Sequence, residues 1–321
     1  MILAGDIGGT NARIALFARD ELREPVRLEI FRSREFASFE ALIEQFLVAD
    51  RTRVEAASFG IAGPVKDGRS NVTNVDWELD GARLATVLGL PSVGLLNDLE
   101  ATAVGLEALR PDDLVTLNEG YPDPTGNRAV IAAGTGLGQA GIVRVGDSLV
   151  PFATEAGHAC FAPASSEQSD LLTFLREDLQ HQVSVELVCS GMGILNIFRW
   201  CLHESQRSEP AWFTRELEEG DPAAAVTRAA AEAIDEDAVR TVGVFVDIYG
   251  SEAGNLALRM LATGGVYVAG GIAGKLKDAL ADGRFLAAFL DKSRLVELLR
   301  KTPVHLVLND QTALLGAALH A

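Results

Sequence analysis

Apolar and polar positions along the chain follow two rhythms that replace each other in turn. Ile2 to Asp6 and Arg13 to Phe17 are short apolar runs on either side of a glycine-rich turn, and predict a hairpin. Arg27 to Arg32 predicts another strand. Ser38 to Ala49 (SFEALIEQFLVA) carries apolar residues at helical spacing behind Ser38, a suitable N-cap. Ala56 to Ala62 reads as a buried strand, Asp80 to Leu88 as a short helix, Val93 to Asn97 as a strand and Asp98 to Ala108 as a helix. Strands that alternate with helices define an α/β layer fold.

The polar stretch from Asn118 to Arg128 (NEGYPDPTGNR) breaks the pattern and predicts a loop. The rhythm then resumes. Ala129 to Ala133 predicts a strand, a second glycine turn follows, and Ala140 to Val145 predicts the next strand. Asp170 to Leu179 is helical, and Asp221 to Ala262 is largely helical, with Asp221 at the cap and Pro222 at the first helical position. Gly264 to Gly271 is a strand that ends in a glycine pair, Val304 to Leu308 the last strand, and Gln311 to Ala321 a closing helix. The segments ILAGDIGG at Ile2 and IAAGTGLG at Ile131 align with each other. Two strand–glycine turn–strand units in one chain predict a duplicated fold with a cleft between its halves.

Charge narrows the range of partners. The chain has 321 residues, 28 Lys and Arg against 45 Asp and Glu, and a formal net charge of −17. So acidic a protein is unsuited to nucleic acid or an anionic membrane as its main partner. A phosphorylated ligand stays admissible, because glycine-loop amides and a cation can hold phosphate locally. Three cysteines, Cys160, Cys189 and Cys201, make no disulfide framework and fit a reducing compartment. No apolar run approaches the roughly 20 residues of a membrane span. The N-terminus opens on a strand pattern without a basic leader, so a cytoplasmic location is expected.

Candidate chemistry gathers at the turns. In Gly5-Asp6-Ile7-Gly8-Gly9-Thr10-Asn11-Ala12-Arg13 the glycines allow a tight turn that presents N–H groups to phosphate, and Asp6 can hold a hydrated cation. A hairpin alone needs one or two glycines and leaves the added Asp, Thr, Asn and Arg unexplained. Gly134-Thr135-Gly136-Leu137-Gly138 fails the Rossmann requirement, since a strand and not a helix follows it. Gly274-Lys275-Leu276 lacks the hydroxyl residue of a P-loop. Asn97-Asp98 stands where a strand hands over to a helix, so Asp98 is either a proton acceptor or a plain N-cap. Glu155-Ala156-Gly157-His158 places a carboxylate and an imidazole on one loop, able to meet both donors and acceptors of sugar hydroxyls. Cys160 suggests zinc, but Cys189 is far downstream and no C-x-x-C is present. Glu186 sits among Val183, Val185, Leu187 and Val188, where a carboxylate needs a partner unless it lies at the surface. Asn74 precedes Val75-Asp76-Trp77 in a loop able to line a cleft or simply to turn.

Taken in order, GDIGGTNAR, Thr73-Asn74 to Trp77, Asn97-Asp98, GTGLG, EAGH, SVELVCSGMG and Ala269-Gly270-Gly271-Ile272 resemble bacterial glucokinases of the hexokinase-like, actin-fold superfamily. The resemblance runs from Gly5 to the closing helix. It implies a two-lobed, ribonuclease H-like α/β fold with an interlobe cleft, a small lobe of residues 1–109 plus 309–321 and a large lobe of 110–308. It implies an ATP- and Mg²⁺-dependent transferase that phosphorylates glucose at the 6-hydroxyl and feeds glycolysis, as a homodimer in the cytoplasm. Asp98 would be the base, and Asn74, Asn97, Asp98, Glu155, His158 and Glu186 would bind the sugar. Gly5, Asp6, Ile7, Gly8, Gly9 and Thr10, with Gly134, Thr135, Gly136 and Gly138, would cradle ATP phosphates. Gly270 and Gly271 would lie near the adenosine, and Asp6 would position Mg²⁺ through water.

The sugar loop reads TEAGH where the family has GEGGH, and Cys160 stands alone where related ROK proteins carry a cysteine-rich zinc motif, so the resemblance is to the zinc-free branch. Two rivals are a sugar-sensing regulator, which would add a basic DNA-binding helix pair, and a filament or chaperone ATPase, which has no use for the sugar residues. Two further expectations bear on chemistry. Asp98 needs only an ordinary carboxylate pKa, and loss of Glu155, His158 or Glu186 should spare ATP affinity, because the glycine turns lie elsewhere in the chain.

Overall fold

The computed structural model describes residues 1–48, 53–72, 75–146 and 148–321. In chain order the main elements are β1 (Ile2–Ile7), β2 (Asn11–Phe17), β3 (Arg27–Arg32), α1 (Phe39–Val48), β4 (Ala56–Ile61), β5 (Arg69–Asn71), β6 (Glu78–Asp80), α2 (Gly81–Leu88), β7 (Gly94–Asn97) and α3 (Asp98–Gly105). There follow β8 (Leu114–Asn118), β9 (Arg128–Ala133), β10 (Leu137–Val145), β11 (Ser148–Thr154), α4 (Ser166–Leu179), α5 (Gly191–Glu204), α6 (Ala211–Glu219), α7 (Pro222–Ala231) and α8 (Glu236–Met260). The chain ends with β12 (Gly265–Ala269), α9 (Gly271–Lys275), α10 (Lys277–Ala281), α11 (Arg284–Leu290), α12 (Val296–Lys301), β13 (Val304–Val307) and α13 (Thr312–His320). It divides into two compact units, Met1–Pro111 with Pro151–Ala153 and Asn309–Ala321, and Asp112–Val150 with Thr154–Leu308.

The first unit holds a sheet in the order β3-β2-β1-β4-β7. β1 and β2 form the expected antiparallel hairpin, and β4 and β7 add in parallel. Alternating side chains give the sheet two apolar faces. Leu3, Ile7, Ile14 and Leu16 pack with Phe39, Phe46 and Phe59 on one face. Ile2, Ala4, Ala15 and Phe17 pack with Leu314, Leu315, Ala317 and Ala318 of α13 on the other. The closing helix is thus a wall of the first unit's core. The helix expected to end at Ala49 is described through Val48, and Ala49 lies outside the described residues.

The second unit repeats the scheme. Its sheet runs β11-β10-β9-β12-β13-β8, with the β9–β10 hairpin antiparallel and β12 and β13 parallel to β9. The faint repeat between Ile2 and Ile131 is therefore a repeat of topology, hairpin first and parallel strands after. β10 begins at Leu137, three residues before the expected start at Ala140, because the turn is closed within Gly134–Gly136 by a 2.9 Å bond from Gly134 N–H to the Gly136 carbonyl. Asp221 caps α7 and Pro222 opens it, as the pattern predicts. No helix among the described residues is long and apolar enough to cross a membrane.

Candidate active site

In the first unit, the hairpin register sets Asp6 opposite Arg13. Arg13 Nη1 lies 3.9 Å from Asp6 Oδ2, and Nη2 is 2.8 Å from Asp310 Oδ2, so one guanidinium serves two carboxylates. Nη1 also donates to the Asp310 carbonyl at 2.6 Å, tying β2 to the entry of α13. Burial pushes the Asp6 carboxyl above its usual range, opposed by Arg13 and assisted by the field of Asp310. The turn after Asp6 closes through Gly8 N–H to the Asn11 carbonyl at 2.9 Å, and leaves Thr10 exposed. Ser33 braces it by donating its hydroxyl to the Gly8 carbonyl at 2.6 Å. Gly5 is mid-strand and paired on both sides, with Ile14 and Phe59, and Ile7 is fully buried, so both shape the turn from beneath.

Asn97 and Asp98 divide two tasks. Asn97, and not Asp98, is the N-cap of α3. Its Oδ1 accepts from Leu99 N–H at 2.9 Å, and Glu100 answers by accepting from Asn97 N–H at 3.1 Å, a capping box. Asn97 Nδ2 donates to the Gly63 carbonyl at 3.1 Å. The plain N-cap reading of Asp98 is therefore corrected, since that duty is taken by its neighbour. Asp98 is the first residue of the helix, and its carboxyl is pushed up to about 6, by burial first and by the charge of Asp6 second. Leu99 N–H, 2.9 Å from Oδ1, moderates the rise. An ordinary carboxylate pKa would meet the need of a base at neutral pH; the raised value meets it too, and its cause, burial, is not visible in the sequence. Asn74 lies outside the described residues.

In the second unit three candidate residues come together. His158 Nε2 is 4.0 Å from Glu155 Oε2, and its Nδ1 is 4.0 Å from Glu186 Oε1. Glu155 and His158 are exposed, whereas Glu186 is largely withdrawn. The Glu186 segment is clamped in place. Glu186 N–H donates to the Gly157 carbonyl at 2.9 Å, and Ser190, the N-cap of α5, donates its hydroxyl to the Glu186 carbonyl at 2.7 Å. Glu186 Oε2 accepts from Leu137 N–H at 2.9 Å, directly on the glycine hairpin. The hairpin also rests on the start of α5, where Gly191 N–H donates to the Gly134 carbonyl at 2.8 Å. The sugar-loop candidates and the hairpin are thus neighbours, which corrects the view that distance in sequence keeps them apart.

Gly270 has φ +91°, and a Cβ there would stand 2.4 Å from the Ala133 carbonyl oxygen. That close approach joins the end of β12 to the end of β9, and Gly271 opens α9 beside it. Tyr249, fully buried on α8, fixes the same junction. Its hydroxyl accepts from Ala133 N–H at 3.2 Å and faces the carbonyls of Ala269 and Ile131 at 3.1 and 3.3 Å. Sequence reasoning missed Tyr249, Arg13 as a bridge, and Glu100. Arg13 carried a signal through its hairpin register with Asp6, and Glu100 through its capping-box spacing from Asn97; Tyr249 carried none.

A twice-repeated hairpin-plus-parallel-strand core, with glycine turns and carboxylates at strand ends, defines a sugar kinase of the actin-like fold. The Glucokinase family model matches residues 3–321, and the chain belongs to that family. The glucokinase of a Nostoc species is 38% identical, with 100% of this chain and 98% of the relative covered. The glucokinase of a Synechocystis species is 39% identical, covering 99% and 97%. Among solved structures, a glucokinase from an Antarctic psychrotroph superposes with TM-score 0.84 at 30% identity, covering 99% of this chain and 97% of that one. A Balamuthia mandrillaris glucokinase in complex with glucose shares the fold, with TM-score 0.83 at 21% identity, covering 99% and 92%.

Proposed function

We propose that the protein transfers the terminal phosphoryl group of ATP to the 6-hydroxyl of D-glucose. The observation that carries this reading is Asp98, a withdrawn carboxyl at the β7–α3 junction whose capping duty is discharged by Asn97. With its pKa at about 6, it is ionised at neutral pH and basic enough to take a hydroxyl proton as the bond to phosphorus forms. Phosphoryl transfer asks a protein chiefly to position groups and offset charge. Asn74, Asn97, Glu155, His158 and Glu186 hold the remaining sugar hydroxyls in this reading. The turns at Gly5–Thr10 and Gly134–Gly138 present backbone N–H groups to the phosphates, and Gly270 and Gly271 lie near the adenosine.

The Asp6 carboxylate fits Mg²⁺, a hard cation that prefers oxygen ligands and keeps several waters. Arg13, 3.9 Å away, shares that carboxylate, so a cation there would be held beside a guanidinium, which favours contact through water in this reading. When bound there, the ion would neutralise charge on the phosphates. Operation in glycolysis, as a cytoplasmic homodimer, belongs to the same proposal. The test is a coupled assay of purified protein with ATP, Mg²⁺ and a panel of hexoses. The reading requires glucose-dependent formation of a 6-phosphate and a strict need for Mg²⁺. Turnover of ATP that ignores every sugar would overturn it.

A further inference from the structure

We propose that Glu186 is a positioning residue that couples the sugar loop to the glycine hairpin at Gly134–Gly138, one carboxylate oxygen holding the hairpin while the other faces His158. The proposal rests on the assignment of that hairpin to phosphate binding. Its geometric basis lies wholly within the second unit. Oε2 accepts from Leu137 N–H at 2.9 Å, and Oε1 stands 4.0 Å from His158 Nδ1. The backbone of the same residue donates to the Gly157 carbonyl in the sugar loop. One residue therefore bonds to the hairpin through its side chain and to the sugar loop through its main chain.

The glycines at both contacts show how tightly the three segments are pressed. A Cβ at Gly136 would lie 2.4 Å from Glu186 Oε2, and a Cβ at Gly157 would lie 2.1 Å from the Leu137 carbonyl oxygen. Neither contact leaves room for a side chain. The Glu186 side chain is 21% exposed, against 64% for His158 and 75% for Glu155. A carboxylate that only accepted from a sugar hydroxyl would need no backbone partner. Here the Leu137 N–H fixes its plane in advance. A ligand that draws on Oε1 acts on a group whose other oxygen sets the position of the hairpin. Occupation of the sugar loop and the shape of the hairpin are thereby linked, and by reciprocity nucleotide and sugar each favour the other.

Three full-length variants test this: Glu186→Gln, Glu186→Ala and Glu186→Asp. Gln keeps a carbonyl oxygen for Leu137 N–H and loses the charge. Ala loses both contacts, and Asp is one methylene too short to span them. Calorimetry measures the affinity for a non-hydrolysable ATP analogue without and with glucose, alongside melting temperature and the separate kcat and KM values. Glu186→Ala and Glu186→Asp are expected to bind the analogue about tenfold more weakly without sugar, the scale of one lost charge-assisted hydrogen bond. Glu186→Gln should stay within about threefold of the parent for the analogue while binding glucose more weakly. In Ala and Asp, the gain in nucleotide affinity that glucose gives the parent should vanish. If Ala does not fold, Asp supplies the same comparison.

Parent-like nucleotide affinity in Ala or Asp, with only glucose affinity lost, would overturn the coupling and leave Glu186 a plain sugar ligand. Equal loss in Gln and Ala would overturn it as well, because the retained acceptor would then do nothing. Failure of the parent protein to bind the analogue or to phosphorylate glucose is a separate outcome. It removes the functional reading itself, whatever the variants do.

Discussion

Asp98→Asn separates catalysis from stability, and the structure gives the expected size of both effects. The folded protein holds the Asp98 carboxyl at about 6, against 3.8 for an unperturbed aspartate. That gap corresponds to about 3 kcal/mol that the ionised carboxylate costs the fold. The sign follows from proton binding. The folded state holds the proton more tightly than the unfolded chain, so stability falls as pH rises through the interval from about 4 to 6. The cost is complete above it. Asparagine removes the charge, keeps an oxygen for Leu99 N–H, and leaves the Asn97–Glu100 capping box intact. The variant should resist denaturant better than the parent at pH 7.5, by up to about 3 kcal/mol, and the advantage should shrink steadily toward pH 4.5. Turnover should fall by about 10² or more, the usual scale of a lost general base. In the parent, kcat/KM should fall below about pH 6 as the base is protonated. Chemical denaturation at the two pH values, beside steady-state rates, decides the matter. A variant less stable than the parent at pH 7.5, or a stability difference indifferent to pH, would refute the reasoning.

Other perturbations address the scaffold. Asn97→Ala removes the α3 cap and the bond to Gly63, and should lower stability by about 1–2 kcal/mol in denaturant titrations, with turnover reduced as well. Tyr249→Phe strips the hydroxyl shared by Ala133, Ile131 and Ala269, and should lower stability by about 1–3 kcal/mol and weaken nucleotide binding more than glucose binding in calorimetry. Gly270→Ala meets both a positive φ and the Ala133 carbonyl, and should destabilise by at least about 2 kcal/mol, seen as a lower melting temperature or little soluble protein.

The fold was legible where local pattern and tertiary need agree. The β1–β2 hairpin, the Asp221–Pro222 start of α7 and the closing helix all announce themselves, because cap chemistry and apolar periodicity act over a few residues. β8 and β11 did not. β8 reads only as a polar-flanked fragment until β13 supplies its neighbour, and β11 until β10 does. α5 was hidden by its Gly191-Met192-Gly193 start, a sequence that favours a helix only once Ser190 caps it and the Gly134 carbonyl binds its first N–H. The candidate site follows the same division. Glycine turns and the Asn97-Asp98 pair stand out locally, and it is the resemblance carried by the order of the motifs that singles out Asp98 as the candidate base. That Asn97 caps α3 is local too, since Asn97 and Glu100 have capping-box spacing, whereas the withdrawal of Asp98 from water and the reach of Glu186 to Leu137 are products of packing. The first buries a charge and the second brings together residues 49 positions apart, and one-dimensional spacing records neither.

The central claim is that glucose is the phosphoryl acceptor and Asp98 the group that takes its proton. It is tested most directly by following glucose 6-phosphate and ADP together in one reaction, with parent protein and Asp98→Asn side by side. The account predicts the two products in equal amounts from the parent, negligible ADP when glucose is omitted, and loss of both by about 10² or more in the variant. ADP released at the same rate without sugar, or a variant that matches the parent, would contradict it.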